Sequence, residues 1–511
     1  MSRPIAVLAV SAGLLLLAPA ANAAGTVQWD IQKHHPKARL GRRAADTHEG
    51  IITNELTRGG YFATCSMGTP PQTLTLQLDT GSSDIWVPWN MATVCEEERC
   101  TLGNCAHSPP PPTPQFRDDD EHPTADSGAL VDPNASSTFT DAGKGAFDIS
   151  YVDGSYSNGD YFMDSFQIAG ATVSNVTMGL GLNTTITYGL AGVGYMLNEA
   201  IVDTENSNSA AYPNLPVVMV NEGLINTNAY SLWLNDLDSS KGNILFGGID
   251  TEKYVGNLAR IDILENNKTN VHDSFLVPIT SLLAVSESGT DVLTSTEYPI
   301  EVVLDSGTTL SYLPNDIAEQ IWREVGATYT RDVGLALLPC RMQNSKGHFS
   351  FGFAGPEGPR INVTMDELVL DLVTSGPPPT FISGPFEGED ACEFGIQNSS
   401  KSPFLLGDTF LRSAYVVYDL QNNEIGIAQT DFNSTTSSIV AFEANGSNIP
   451  FSTLVSNQNL TTPTTAAVPS FLAESGFESG TEENRAAALP LGLQQALFMG
   501  VAMLASIFLL A

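Results

Sequence analysis

Short apolar or alternating runs, broken by Gly, Asn, Asp and Pro, make up the chain between about residues 59 and 430. The clearest runs cover residues 61–67, 74–78, 244–246, 415–418 and 425–428. Runs this short with a period of two favour β-strands, and their close succession indicates an all-β body. The best helix candidate covers residues 317–325, with Asn315 or Asp316 as its N-cap.

Two segments of the chain are versions of one another. The first reads LDTGSS at residues 78–83 and the second LDSGTT at residues 304–309, and each follows an apolar, strand-like lead-in. A repeat at this spacing predicts two similar halves that each contribute one carboxylate to a shared site. Two carboxylates held close together cannot both ionise easily, so one keeps a proton. Such a pair can act as acid and base on one water molecule, which suits amide hydrolysis.

Composition narrows the possible partners. The 511 residues include 57 Asp and Glu against 22 Lys and Arg, a net charge of -35, which argues strongly against nucleic acid as a partner. The acidity fits either simple solubility or work at low pH, where protonation relieves self-repulsion. A chain of this length predicts at least two lobes with appendages.

The start of the chain predicts secretion. Arg3 precedes an apolar run over residues 5–17 and a small-residue exit, so residues 1–23 are interpreted as a signal peptide cleaved after Ala23. Residues 24–58 have a basic bias unlike the rest of the chain. They are interpreted as a propeptide that covers the active cleft by charge pairing, with Arg42-Arg43 as a processing site. The alternative is a linker whose basic residues are incidental.

The end of the chain predicts a surface anchor. Residues 431–485 are rich in Ser, Thr and Asn and are interpreted as a disordered, glycosylated stalk. Residues 486–511 are apolar, with no Lys or Arg after Arg485, whereas a retained membrane helix usually carries positive charge beyond its span. We therefore expect a GPI-attachment signal, with Ser479 as the attachment residue. The alternative is a terminal transmembrane helix.

Six cysteines in a secreted chain suggest three disulfides. Cys340 and Cys392 in the second half are expected to pair. For the first half, the preferred set is Cys95–Cys100 with Cys65–Cys105, and the rival set is Cys95–Cys105 with Cys65–Cys100. A zinc site is not expected, because His107 alone stands at ligand spacing.

Nine Asn-x-Ser/Thr sequons predict surface glycans in this compartment. They begin at Asn134, Asn175, Asn183, Asn267, Asn362, Asn398, Asn433, Asn445 and Asn459.

The two motifs belong to a longer ordered set of segments. It includes YFAT from residue 61, GTPPQ from 68, DPNASSTF from 132, GNILFGGID from 242 and FLLGDTFLR from 404. With these segments the chain resembles the pepsin family of aspartic endopeptidases over about residues 59–430. The stalk and apolar terminus look most like the fungal GPI-anchored, yapsin-like members. The resemblance implies a bilobal all-β fold with few short helices, an N-terminal lobe at 59–235 and a C-terminal lobe at 236–430.

The resemblance also implies which residues form the dyad. Asp79 and Asp305 match the catalytic positions, and no cofactor is needed. Gly81 and Gly307 allow the backbone to turn sharply beside the carboxylates.

The hydroxyl residues of the two motifs are expected to support this dyad. Thr80 and Ser306 can hydrogen-bond across the lobes. Ser82 and Thr308 can bond the outer carboxylate oxygens and favour the ionised form.

A flap over the cleft is implied as well. Tyr151 matches the flap tyrosine, and Trp86 is its expected hydrogen-bond partner. Val152 departs from the family, which usually has Gly there, so flap geometry or substrate fit is expected to differ. Asp153 stands where fungal relatives often carry Asp, which suggests tolerance of Lys or Arg beside the scissile bond. The alternative for Asp153 is a turn-forming role before Gly154.

Together these features predict an aspartic endopeptidase that is made as a zymogen, is acid-active and works at the cell surface as a monomer on polypeptides. Basic residues at the cleavage site are its expected preference. The alternative class is a non-catalytic, pepsin-fold wall glycoprotein, since fold alone does not determine function. A glycosidase with paired carboxylates is a remote third option.

Overall fold

A computed structural model describes residues 25–33, 60–95, 130–239, 241–295, 298–331, 334–372, 379–443, 446–456, 458 and 471–478. Its strands are β1 (Val27–Lys33), β2 (Tyr61–Met67), β3 (Gln72–Asp79), β4 (Ile85–Pro88), β5 (Thr140–Ser150), β6 (Tyr156–Ile168), β7 (Ala171–Thr184), β8 (Gly189–Gly192), β9 (Ala229–Trp233), β10 (Lys241–Phe246), β11 (Gly248–Asp250), β12 (Tyr254–Asp262), β13 (Leu276–Ser286) and β14 (Gly289–Leu293). They continue with β15 (Ile300–Leu304), β16 (Ser311–Pro314), β17 (Thr328–Thr330), β18 (Leu335–Pro339), β19 (His348–Phe353), β20 (Arg360–Thr364), β21 (Val369–Asp371), β22 (Ala391–Phe394), β23 (Ile396–Ser399), β24 (Phe404–Leu406), β25 (Ala414–Asp419), β26 (Glu424–Thr430), β27 (Ile439–Ala441) and β28 (Ser452–Leu454).

Helices are few and short. Those whose bounds lie within the described residues are α1 (Ala200–Glu205), α2 (Leu215–Asn221), α3 (Asn315–Val325), α4 (Met365–Leu368) and α5 (Asp408–Leu411), and residues 474–478 are helical as well. Within the described ranges, none of the helices combines the length and the apolar character that a membrane crossing requires.

Two large sheets carry the body of the molecule. One has the order β28-β12-β26-β25-β9-β10-β1-β2-β3-β8-β4-β7-β6-β5, and the other has the order β20-β19-β13-β15-β24-β16-β23 with β14 paired to β13. Smaller sheets join β17-β18-β22-β21 and β11-β27. This mostly β, multi-sheet architecture confirms the predicted fold class and is consistent with a bilobal, pepsin-like fold.

The repeated motif occupies the same strand arrangement twice. In the first half, β3 pairs in parallel with β8, and β4 pairs antiparallel with β8 and parallel with β7. In the second half, β15 pairs in parallel with β24, and β16 pairs antiparallel with β24 and parallel with β23. The strands leading to the two motifs, β3 and β15, are largely buried, as is expected for interior strands with parallel partners. Each motif therefore lies in the loop between a buried parallel strand and its neighbour.

Local sequence signals gave most strands correctly. The strands predicted around residues 61–67, 74–78, 244–246, 415–418 and 425–428 are confirmed within a few residues as β2, β3, β10, β25 and β26. The predicted helix is confirmed as α3, but its cap was wrong. Pro314 is the N-cap, while Asn315 and Asp316 are the first helical residues, because the helix starts directly from the end of β16.

The predicted propeptide contains a strand of the large sheet. β1 lies between β10 and β2, antiparallel to both, with Trp29 and Ile31 buried. The expected placement of residues 24–58 over the cleft is therefore wrong for residues 27–33. Their alternation of Val, Trp and Ile with polar residues is a strand pattern that the basic bias of the segment concealed.

The predicted disordered stalk is also wrong for its described parts. β27 pairs with β11, and β28 pairs in parallel with β12. Phe442, Ile449 and Phe477 are buried. A few large apolar residues spaced through a polar segment are sufficient to dock it on a preformed surface, although the average composition is that of a disordered chain.

The cysteines differ from the predicted set in one respect. Cys340 and Cys392 form the expected disulfide, with an S–S distance of 2.03 Å. Cys65 is a free, buried thiol on β2, so both pairings proposed for it were wrong. Its side chain belongs to the hydrophobic core, where it is a small apolar residue. The side chain of Cys95, and Cys100 and Cys105 entirely, lie outside the described residues.

Seven of the nine sequon asparagines are described, and none of the seven is buried. Asn183 and Asn398 are partly buried, and the remaining five are exposed. Asn445, Asn459, His107 and Ser479 lie outside the described residues, as do the signal peptide and residues 486–511.

The docked residues beyond β26 should contribute to stability. Phe442 is 1% exposed and packs in a core cluster with Trp233 and Tyr415, whereas Phe451 is 71% exposed. We expect Phe442→Ala to lower the free energy of unfolding by about 3–5 kcal/mol, because it leaves a cavity. The matched control, Phe451→Ala, should change it by less than about 0.5 kcal/mol. Urea unfolding of both variants measures the difference, and equal effects would contradict the assignment of this segment to the fold.

Candidate active site

The two motif aspartates meet between the repeated strand arrangements. Asp79 ends β3 and Asp305 directly follows β15. Their carboxyls lie close enough for the charge of Asp305 to act on Asp79, and the residues are only 4% and 8% exposed. The structure thus brings together the two carboxyls that the repeat predicts.

The glycine of each motif faces the carboxyl of the other motif. An added Cβ at Gly81 would lie 2.5 Å from Asp305 Oδ1, and one at Gly307 would lie 2.3 Å from Asp79 Oδ1. Any side chain at either position would push the carboxyls apart. Glycine is therefore required here by close approach across the interface as well as by backbone freedom.

A reciprocal set of hydrogen bonds joins the two loops. Thr80 Oγ1 donates to Leu304 O at 2.9 Å and accepts from Ser306 N at 2.9 Å. Ser306 Oγ donates to Leu78 O at 3.2 Å and accepts from Thr80 N at 3.2 Å. These four buried bonds are the cross-lobe contacts expected of the two hydroxyl residues, and they hold the carboxyls in register.

Hydroxyl and amide donors orient the carboxyls. Asp79 Oδ1 accepts from Gly81 N at 2.8 Å, and its Oδ2 accepts from Ser82 Oγ. Asp305 has the same pattern, with Gly307 N at 2.8 Å and Thr308 Oγ1 at 2.6 Å. Ser82 and Thr308 thus make the carboxylate hydrogen bonds that were predicted for them.

The electrostatics of the pair oppose double ionisation. Burial and then the nearby Asp305 charge raise the pKa of the Asp79 carboxyl, against the donors from Ser82 and Gly81, which lower it. One proton is therefore retained by the pair to a higher pH than an isolated aspartate would allow, and it belongs to the pair rather than to one residue. The Asp79–Asp305 pair can therefore both accept a proton from, and donate a proton to, a molecule bound between the two carboxyls.

The predicted flap is a hairpin formed by β5 and β6. Tyr151 N donates to Ser155 O at 2.9 Å across its turn, and Gly154 has a φ of +84°. Trp86 Nε1 donates to the Tyr151 hydroxyl at 2.7 Å, which is the predicted pairing. Val152 projects from the tip and is 81% exposed.

Asp153 has the turn-forming role suggested as the alternative. Its Oδ1 accepts from the amide and the hydroxyl of Ser155, at 2.8 and 2.6 Å, so it forms the turn. The residue is also exposed and lines the cleft.

The cleft between flap and dyad has a volume of about 1020 Å³. Its N-terminal wall carries three exposed carboxylates, Asp148, Asp153 and Asp203. The opposite wall is neutral, with Tyr312 and Leu405 among its residues. Among the described lining residues there is no Lys, Arg or His.

Asparagines also border the cleft. Asn198 Nδ2 donates to Gly81 O at 3.0 Å and so ties the wall near α1 to the dyad loop. Asn398, one of the sequon residues, lines the opposite wall.

Sequence reasoning missed a buried carboxyl behind the flap. Asp84 is completely buried, and its oxygens accept from Tyr212 OH at 2.7 Å, Tyr161 OH at 3.0 Å and Ala200 N at 2.8 Å. It thereby connects the strand after the dyad loop to the flap strand β6 and to α1. The available signal was an acidic residue between the motif and the apolar run at residues 85–88.

The described residues offer little to a metal ion. Within those ranges, the one grouping of three potential ligands is Cys340, Asp371 and Cys392. Its two sulfurs are bonded to each other, so neither is available as a thiolate ligand.

Known proteins are similar to this chain over most of its length. The family model described as eukaryotic aspartyl protease matches residues 60–430. A probable aspartic-type endopeptidase opsB of Aspergillus fumigatus is 39% identical over 400 residues, which cover 78% of this chain and 74% of that protein.

Two further relatives come from yeasts. An acid protease of Saccharomycopsis fibuligera is 33% identical over 80% of this chain and 93% of that protein. Secreted aspartic protease 8 of Candida albicans is 33% identical over 76% of this chain and 80% of that protein. The extent of these matches, together with the paired carboxyls in a cleft, shows that the chain belongs to the eukaryotic aspartyl protease family and is an aspartic-type endopeptidase.

Proposed function

We propose that Asp79 and Asp305 carry out peptide hydrolysis at acidic pH, on polypeptides with basic residues near the cleaved bond. The observation that carries this proposal is the pair of adjacent, buried carboxyls at the base of an acidic cleft. Family membership establishes peptide hydrolysis as the reaction class, and the proposal assigns its steps to individual residues.

The chemistry follows from a single shared proton. The ionised carboxylate takes a proton from a water molecule as the water oxygen bonds to the peptide carbonyl carbon. The protonated carboxyl gives its proton to the carbonyl oxygen, which yields a neutral gem-diol. The carboxyl that took the water proton then gives it to the nitrogen as the C–N bond breaks. A gem-diol hydroxyl gives its proton to the other carboxylate as the C=O bond re-forms, so the dyad is again singly protonated.

Acid activity is supported by the direction of the pKa shift. Because burial and the second carboxyl raise the pKa of Asp79, the singly protonated pair persists above the ordinary range of a carboxyl. As pH rises through this raised pKa, the shared proton is lost and the general acid disappears. The net charge of -35 adds long-range repulsion that low pH relieves.

A preference for basic residues is supported by the asymmetric charge of the cleft. Asp148, Asp153 and Asp203 face a neutral wall, so a Lys or Arg of the substrate gains attraction on one side without repulsion on the other. The turn-forming bonds of Asp153 use Oδ1.

Secretion, zymogen processing and GPI anchoring complete the proposal. Secretion is supported by the amino-terminal apolar run and by relatives that include a protein named as a secreted aspartic protease. Anchoring of the yapsin-like kind is supported by the apolar composition of residues 486–511, which follow a segment rich in Ser, Thr and Asn. Processing after Arg42-Arg43 would remove β1 from between β2 and β10, so we infer that another segment takes its place in the sheet.

A first test replaces one carboxyl of the dyad. Asp79→Asn should lower kcat on a casein-like substrate by at least about 1000-fold, because the pair can no longer exchange a proton with the water. Asp141→Asn, at an exposed carboxylate on β5, is the matched control and should retain activity. Full peptidase activity of Asp79→Asn would refute the mechanism.

A second test shifts the pH profile. Ser82 Oγ donates to Asp79 and so favours the ionised form, which lowers the pKa. Ser82→Ala should therefore raise this pKa and move the alkaline limb of the kcat/KM profile to higher pH by about one pH unit. Ser83→Ala is the control, because its buried hydroxyl bonds neither carboxyl. A limb that stays in place or moves to lower pH would contradict the role of Ser82.

A third test addresses substrate charge. The triple variant of Asp148, Asp153 and Asp203 to Asn should lower kcat/KM for peptides with Lys or Arg beside the scissile bond by about tenfold, since each exposed charge contributes modestly. Asn at position 153 keeps the oxygen that forms the turn. Neutral peptides of equal length are the control, and kcat/KM for them should be the same in the variant and the wild type. An equal loss on both peptide sets would indicate damage to the flap instead.

A further inference from the structure

Residues 471–478, the C-terminal strap, dock on the C-terminal half of the molecule. The strap follows a Thr- and Pro-rich stretch, yet Ala473 and Phe477 are completely buried. No mechanistic role described above uses these residues.

Aromatic contacts fix both ends of the strap. The Phe477 ring stacks on Phe349 of β19, with centroids 5.4 Å apart and planes 20° from parallel. An added Cβ at Gly347 would lie 2.2 Å from the Phe477 ring, so this glycine leaves the space that the ring fills. At the other end, the Arg323 guanidinium lies 3.6 Å from the Phe471 ring centroid.

Polar contacts secure the backbone between the two rings. Ser286 Oγ donates to Ala473 O at 2.7 Å, and Gly476 N donates to Ser288 Oγ at 2.9 Å. Ala473 N donates to Asp291 Oδ2 at 2.7 Å. The strap therefore occupies a specific docking site formed by the β13–β14 hairpin, β19 and α3.

A pair of buried carboxyls lies beneath this site. Asp291 is 1% exposed and Glu324 of α3 is fully buried beside it. Burial, followed by the Asp291 charge, raises the pKa of Glu324 to about 8. The exposed Glu474 of the strap adds to the rise and Arg323 opposes it.

Other titratable residues stand on the same elements. They are Glu287 in the β13–β14 turn, Asp316 and Glu319 on α3, His348 at the start of β19 and Glu478 at the end of the strap. Burial lowers the pKa of His348, so its imidazole is neutral at neutral pH. It therefore provides no positive charge to stabilise ionised Glu324 beside Asp291.

We propose that docking of the C-terminal strap depends on pH. The strap is docked while Glu324 keeps its proton beside Asp291, and it dissociates from its site as that proton is lost. In this way the hairpin, β19 and α3 form a proton-dependent docking site for the chain's own carboxyl-terminal segment. The backbone amide of Ala473 donates to the Asp291 carboxyl, so the strap directly contacts one member of the buried carboxyl pair.

The direction of the pH dependence follows from linkage. Glu324 has a raised pKa with the strap docked and is assigned its ordinary value when the strap is open. Docking is then strongest below the ordinary pKa and weakens as pH rises towards about 8, by at most about tenfold per pH unit. At acidic pH the C-terminal strap would stay docked on the C-terminal half of the molecule, and at neutral pH it would be released.

Hydrogen exchange on the full protein tests the proposal. Protection factors, corrected for intrinsic rates, are measured for amides of residues 473–477 between pH 5 and 8. They should fall by at least tenfold in the wild type, whereas Glu324→Gln, which is neutral at every pH, should show no such fall. Constant protection in the wild type, or an equal fall in Glu324→Gln, would overturn the proposal.

Two further measurements separate strap opening from other causes. The amides of β25, distant in sequence, must keep their protection over the same range. Their simultaneous loss would mean that the strap does not open by itself, and would also overturn the proposal. Phe477→Ala should remove strap protection at pH 5 while β25 stays protected, and retained strap protection in that variant would refute the docking itself.

Discussion

The structure depends on one constraint, which is that two carboxyls from distant parts of the chain must share a buried space without both being charged. Thr80 and Ser306 meet this constraint with four reciprocal hydrogen bonds across the interface. Gly81 and Gly307 allow the approach, because any Cβ there would displace the opposing carboxyl. The retained proton is a consequence of this geometry, since burial and a neighbouring carboxyl both oppose ionisation.

The scaffold around the pair presents each aspartate from the same strand arrangement. In each half, a parallel pair of strands delivers the motif and an antiparallel neighbour closes the loop. Interior strands of this kind are buried on both faces, which limits movement of the loops that follow them. Asp84 extends this rigidity to the flap strand and to α1 through three donors.

Buried carboxyls with raised pKa values recur through the molecule, at Asp79, Asp84 and Glu324. In each case burial is the largest cause, and no cation is among the hydrogen-bond partners described here for these groups. Groups of this kind favour the folded state most at low pH and lose that contribution as pH rises. The proposed acid activity and the proposed docking of the C-terminal strap both depend on carboxyls of this kind, and low pH would also relieve the repulsion due to the net charge of -35.

The sequence by itself determined the fold class, most strands and the two aspartates that meet in the cleft. These follow from local signals, namely the period-two runs, the repeated LDTGSS and LDSGTT motifs and their ordered neighbours. The resemblance to the pepsin family also indicated the flap, through Tyr151 and its expected partner Trp86.

Tertiary structure alone decided which polar or basic segments belong to the body. β1 and the C-terminal strap are held by isolated large residues such as Trp29 and Phe477, whose partners lie far away in the chain. Cys65 stayed unpaired because β2 carries it into the core. Composition averages over a segment, whereas docking depends on a few side chains that meet a complementary surface, and that surface exists only after the rest of the chain has folded.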